Sequence, residues 1–109
     1  MMPPDLVAKQ LEMLKEVVPK LSRVALLSNP ANPGNAPQVQ YGQDAGRALG
    51  LQIQPLKAST PSEIDRAFSV MSEERAGGLV VLVDAALLDH RARIADLAAQ
   101  AARAADRRD

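Results

Sequence analysis

Three short apolar runs alternate with stretches of helical period, and this alternation constrains the fold more than any other feature of the chain. The runs are Arg23 to Ser28, Leu51 to Leu56, and Leu79 to Val83. The first and third are near-continuous, as in strands buried on both faces; the second alternates. Between and around them apolar residues recur every three or four positions. Val7, Leu11, Leu14, Val18 and Leu21 form one such stripe, with Asp5 expected to cap the helix and Pro19 to end it. A second helix opens near Pro37, with Asn35 or Ala36 as its cap, carries Val39, Ala45, Ala48 and Leu49, and stops at Gly50. Thr60-Pro61-Ser62-Glu63 has the form of a capping box with proline at the first helical position. The helix it opens aligns Ile64, Ala67, Phe68 and Met71, with Gly77-Gly78 expected at its end. A last helix is expected from Leu87 to Ala105, its inner stripe formed by Leu87, Leu88, Ile94, Leu97, Ala98 and Ala101.

Strands separated by helices need crossover connections and form a parallel sheet. Pro55 cannot donate to a ladder, so the second strand belongs at an edge. Right-handed crossovers then give the order 2-1-3. The expected fold is α/β: a three-layer half domain of the Rossmann-like or flavodoxin-like kind. Residues 1–109 are expected to form a single partial domain, with 101–109 as a charged helical tail. In this order Leu79 to Val83 lies at the second edge with nothing to blunt pairing, so a homodimer through this strand or the C-terminal helix is expected.

Composition removes several function classes. Lys plus Arg and Asp plus Glu are 13 each, a balance that gives no field to steer the chain onto nucleic acid. The absence of cysteine excludes disulfides and thiolate metal sites. Tyr41 and Phe68 are the only benzenoid rings and His90 the only imidazole. No phosphate-binding glycine loop, nucleophile elbow or zinc-ligand cluster occurs, so neither catalytic residues, metal nor cofactor are expected, and the chain does not read as an enzyme. The N-terminus has no basic segment followed by an apolar one, so the chain as written is expected to be cytoplasmic.

In open parallel sheets ligands bind at the carboxyl ends of the strands. That places Ser28, Asn29, Asn32 and Asn35, in the loop after the first strand, and Asp84, after the third, as candidate ligand-binding residues. Asn-Pro-Ala-Asn-Pro equally suits turn chemistry, since asparagine side chains close Asx-turns, and Asp84 equally suits a helix cap.

The segments Lys9 to Pro19, Ser22 to Pro33, Arg47 to Gly50, Ala76 to Asp84 and His90 to Ala98 resemble the substrate-binding proteins of ABC transporters, in the tryptophan/tyrosine-type uptake branch. The resemblance runs from about Asp5 to Gln100 and covers part of the second lobe. It implies a periplasmic-binding-protein-like lobe of a periplasmic or lipid-anchored receptor, a small polar solute such as an amino acid held between two lobes, and an ABC permease as partner. It places the ligand loop on Ser28 to Asn35, and Asp84 at the cleft. Where amino-acid-binding relatives carry an aromatic, an acidic residue and an Asn-Ser pair, this chain has Ser28, Asn32 and Gly34-Asn35. The alternative is a self-associating structural remnant without ligand binding.

Overall fold

The computed structural model describes residues 4–107, with side chains described for 6–103. The elements run α1 (Pro4–Val17), β1 (Arg23–Ser28), α2 (Asn35–Ala48), β2 (Gln52–Lys57), α3 (Pro61–Glu73), β3 (Gly78–Val81), α4 (Ala85–Asp89) and α5 (Arg91–Arg107). The sheet is all-parallel with order β2-β1-β3, as the alternation of periods requires.

β1 is central, and its alternate side chains enter two cores. Val24 and Leu26 join Val80 and Leu82 beneath α1, where Val7 and Leu11 are buried. Ala25 and Leu27 face the other way, onto Ile64, Phe68 and Met71 of α3, Leu87 of α4 and Ile94 of α5. Val24, Leu26 and Leu27 are all but inaccessible. Burying each stabilises the fold by roughly 2 kcal/mol relative to exposure.

The β2 edge is protected by its proline. Gln52 N donates to Ser22 O and Ala58 N to Ser28 O, so even-numbered residues turn their amides toward β1. Pro55 therefore turns its missing N–H outward, where no ladder bond is lost.

The capping box forms as expected: Thr60 Oγ1 accepts from Glu63 N at 3.3 Å, and Glu63 Oε1 accepts from Thr60 N at 3.2 Å. Gly50 closes α2 at φ 74°, with Gly50 N bonded to Arg47 O and Leu51 N to Gly46 O, the two bonds of a Schellman motif.

Several boundaries depart from the sequence reading. α3 ends at Glu73, ahead of Gly77-Gly78, because Arg75 takes the left-handed conformation at φ 57°. Arg75 N then reaches Ser72 O and Ala76 N reaches Met71 O, so an arginine occupies a glycine's usual place in a second Schellman motif. α2 begins at Asn35 after Gly34, which gives no side-chain cap, because the Asn35 side chain is engaged elsewhere. Its buried face is Asn35, Gln38, Gly42 and Gly46, whereas Val39, Ala45 and Leu49 are only partly buried and Ala48 is exposed. A Cβ on Gly42 would lie 2.7 Å from Leu26 Cδ2, and one on Gly46 2.6 Å from Ile53 Cδ1. The absent side chains thus let α2 lie directly on β1 and β2.

Asp5 falls inside α1, and its side chain lies outside the described residues. Val18 lies beyond the end of α1 and is exposed. The expected last helix is two helices, broken at His90, whose φ and ψ of −102° and 19° leave the helical range. Leu88, expected in its inner stripe, is exposed on α4. β3 spans Gly78–Val81: Leu82 N still bonds Leu27 O, but Val83 turns out into solvent. Of the expected tail at 101–109, α5 continues to Arg107, and residues 108 and 109 lie outside the described residues.

Candidate functional site

The loop after β1 is built from two copies of one local device. Asn29 Oδ1 accepts from Ala31 N at 2.9 Å, and Asn32 Oδ1 accepts from Gly34 N at 2.9 Å. These are consecutive Asx-turns, each with a proline next to its asparagine. Each asparagine has its amide nitrogen left over, and both nitrogens go to the same partner. Asn29 Nδ2 donates to Asp84 Oδ2 at 3.0 Å, and Asn32 Nδ2 donates to Asp84 Oδ1 at 2.7 Å.

Asn35 completes the tie. Its Oδ1 accepts from Asn29 N at 2.9 Å, and its Nδ2 donates to Val83 O at 3.1 Å. The end of β1 is thereby joined to the end of β3 by three asparagine side chains. Asp84 also caps α4, with Oδ2 accepting from Leu87 N at 3.0 Å. The turn and cap readings of this loop and this aspartate both form: the asparagines make turns, Asp84 makes a cap, and the same atoms assemble the polar end of the sheet.

Asp84 is only 8% exposed. Burial pushes its carboxyl up, but hydrogen bonds from Asn29, Asn32 and the N–H groups of Leu87 and Ala86 outweigh burial and hold it below the usual carboxylate range. It is an anion at neutral pH. Oδ1 accepts from Asn32 and, as a carboxylate oxygen, can accept from more than one donor.

Beside this carboxylate lies an open cleft of about 520 Å³, lined by Leu6, Asn32, Gly34, Asn35, Gln38, Val83, Asp84 and Ala85. Four of the five sequence candidates meet here: Asn29, Asn32, Asn35 and Asp84 share one network, and three of them line the cleft. Ser28 does not join them. It is buried under the loop, with Oγ turned to β2 and 3.5 Å from Leu56 O. Gln38 and Leu6 escaped the sequence reading. The signal for Gln38 was its position three residues after Asn35, on the same face of α2.

Among the described residues no group of three His, Asp or Glu side chains gathers to hold a metal ion. The arrangement offers one fixed negative charge, a half-buried asparagine edge at Asn32 and an apolar wall at Leu6 and Val83. That suits recognition of a small donor-bearing molecule.

No protein-family model matches the chain, and no curated protein matches it in sequence. Among solved structures it is similar to a conserved domain protein from Vibrio cholerae O1 biovar El Tor, with TM-score 0.77 and 17% identity over 87% of this chain. The chain spans 32% of that protein's length. At this identity the likeness establishes the α/β fold. No described helix is long and apolar enough to cross a membrane.

Proposed function

We propose that the chain is part of one lobe of a two-lobed solute receptor, and that the cleft beside Asp84 is its share of the binding site. The observation that carries this reading is a buried, anionic Asp84 in the wall of an open cleft at the carboxyl ends of β1 and β3. That is the switch point where open parallel sheets bind ligands. The sequence resemblance to ABC-transporter solute-binding proteins of the tryptophan/tyrosine-type branch points the same way.

In this reading the residues divide their labour. Asn29, Asn32 and Asn35 hold the loop, and Asp84 Oδ1 accepts from an ammonium or hydroxyl of the solute. Gln38 and the Asn32 and Asn35 edges line the approach, while Ser28 supports the loop from below. A facing lobe closes over the solute by hinge motion, and a permease reads the closed form. Ligand sites commonly bury well over half of a ligand, so this lobe alone binds weakly, in the millimolar range.

A thermal-shift screen tests the reading. Primary amines and amino acids at high millimolar concentration raise the melting temperature, whereas matched carboxylates without an amine do not. Equal response to both sets, or to neither, contradicts it.

A further inference from the structure

The cleft beside Asp84 carries charge of one sign. Among the described residues that line it, Asp84 is the one ionisable group. Arg91 lies in the neighbouring groove, past Val83 to Ala85, and its Nη1 donates to Leu88 O at 2.9 Å. Backbone donors that could hold a solute carboxylate are turned to protein partners. Asp84 itself takes the start of α4, through Leu87 N at 3.0 Å and Ala86 N. At the start of α2, Gly34 N is held by Asn32 Oδ1 and Asn35 N by Asn32 O, and Pro37 has no N–H. A solute carboxylate would meet the Asp84 anion with no cation among the described lining residues to offset it, whereas an ammonium meets an acceptor.

The rest of the wall is apolar. Leu6 on α1 is 38% exposed and Val83 beyond β3 is 67% exposed, and both line the same cleft as Asp84. An alkyl or aryl body attached to the amine can cover them, and each methylene taken out of water adds to affinity.

We infer that this cleft selects amphipathic monocations, an ammonium on an apolar body, over zwitterionic amino acids. The inference rests on the receptor reading above and narrows its solute class. The ammonium sits on Asp84, and the body lies against Leu6 and Val83. A solute carboxylate held ~5 Å from Asp84 costs about fourfold in affinity even at the dielectric constant of water, and more in a less polar cleft.

Four probes built on the leucine side chain test this by amide-resolved NMR titration of the full chain. The titrations are run at about pH 6, where amines are protonated and Asp84 is ionised. Isopentylamine and leucinamide should bind at least about fourfold tighter than leucine, and 4-methylpentanoate should give no saturable shift at Asn32, Gly34 or Val83 to Ala85. The gap between leucinamide and leucine should close as salt is raised to about 1 M, because a charge effect in an open cleft is screened. Isopentylamine should also bind tighter than ethylamine, by about fivefold or more. Leucine binding as tightly as leucinamide, a gap that survives salt, or ethylamine matching isopentylamine overturns the inference while the receptor reading stands. Saturable binding of 4-methylpentanoate, or no saturable shift from any probe, overturns both.

Discussion

Asn32 Nδ2 donates to Asp84 Oδ1 at 2.7 Å, the shorter of the two amide contacts on that carboxylate. The two residues lie at the ends of different strands, so the contact links the loop after β1 to the cap of α4. The geometry of the candidate site and the stability of the fold therefore rest on the same atoms.

Replacing Asp84 by asparagine keeps the shape and changes the hydrogen-bond polarity. One side of the new amide is an NH2 facing Asn29, Asn32 or Leu87 N, all of which donate. A buried donor left against donors costs about 1–3 kcal/mol. Urea denaturation of Asp84→Asn should show a midpoint lowered accordingly at neutral pH, with an unchanged slope.

The same carboxyl makes stability depend on acid. Folding holds its pKa below the unfolded value of about 3.9, so its contribution is fully present above that value. The contribution is lost as pH falls through the lower, folded value. Glu63 and Asp65 are also held low, the first by hydrogen bonds from Ser59 and Thr60, the second by its hydrogen bond from Arg93, and both are surface groups. The wild-type and Asp84→Asn melting curves should therefore converge below about pH 4, after each is corrected for the shared surface groups. Parallel curves across that range contradict the assignment.

Arg75 adopts a conformation that suits glycine. Arg75→Gly keeps both Schellman bonds and removes the Cβ strain, offset in part by greater freedom of the unfolded chain. A gain of about 0.5–1 kcal/mol is expected, read as a rise of several degrees in melting temperature.

Gly46 works in the opposite sense. A methyl there meets Ile53 Cδ1 at 2.6 Å and crowds Cγ1 as well, so Gly46→Ala forces the Ile53 side chain or α2 itself to shift. The higher helix propensity of alanine, about 1 kcal/mol, is outweighed by overpacking of about 1–3 kcal/mol. Net destabilisation by chemical denaturation is the expected outcome.

These positions show which parts of the fold were legible. The parallel sheet, the Pro55 edge and the Thr60–Glu63 box could be read because period, a missing donor and a reciprocal cap are local properties of the chain. Gly42 and Gly46 could not, because a helix face that packs by having no side chains leaves no mark in an apolar pattern. Arg75 carried no signal, since its conformation is set by Ala76 packing back on the core around Met71. At the site, Asn29, Asn32, Asn35 and Asp84 stood out by residue type at strand ends. That they would bond to one another was hidden, because the 55 residues separating Asn29 from Asp84 close only in the folded sheet.

The central claim is that Asp84 presents a carboxylate to a solute in the cleft at the end of β1 and β3. Its most direct test is an amide-resolved NMR titration of the chain with a primary amine, run in parallel on Asp84→Asn. The account predicts saturable shifts confined to Asn32, Gly34, Asn35, Gln38 and Val83 to Ala85, lost in the variant while its remaining spectrum stays folded. Shifts scattered over the surface, or identical in the two proteins, would contradict it.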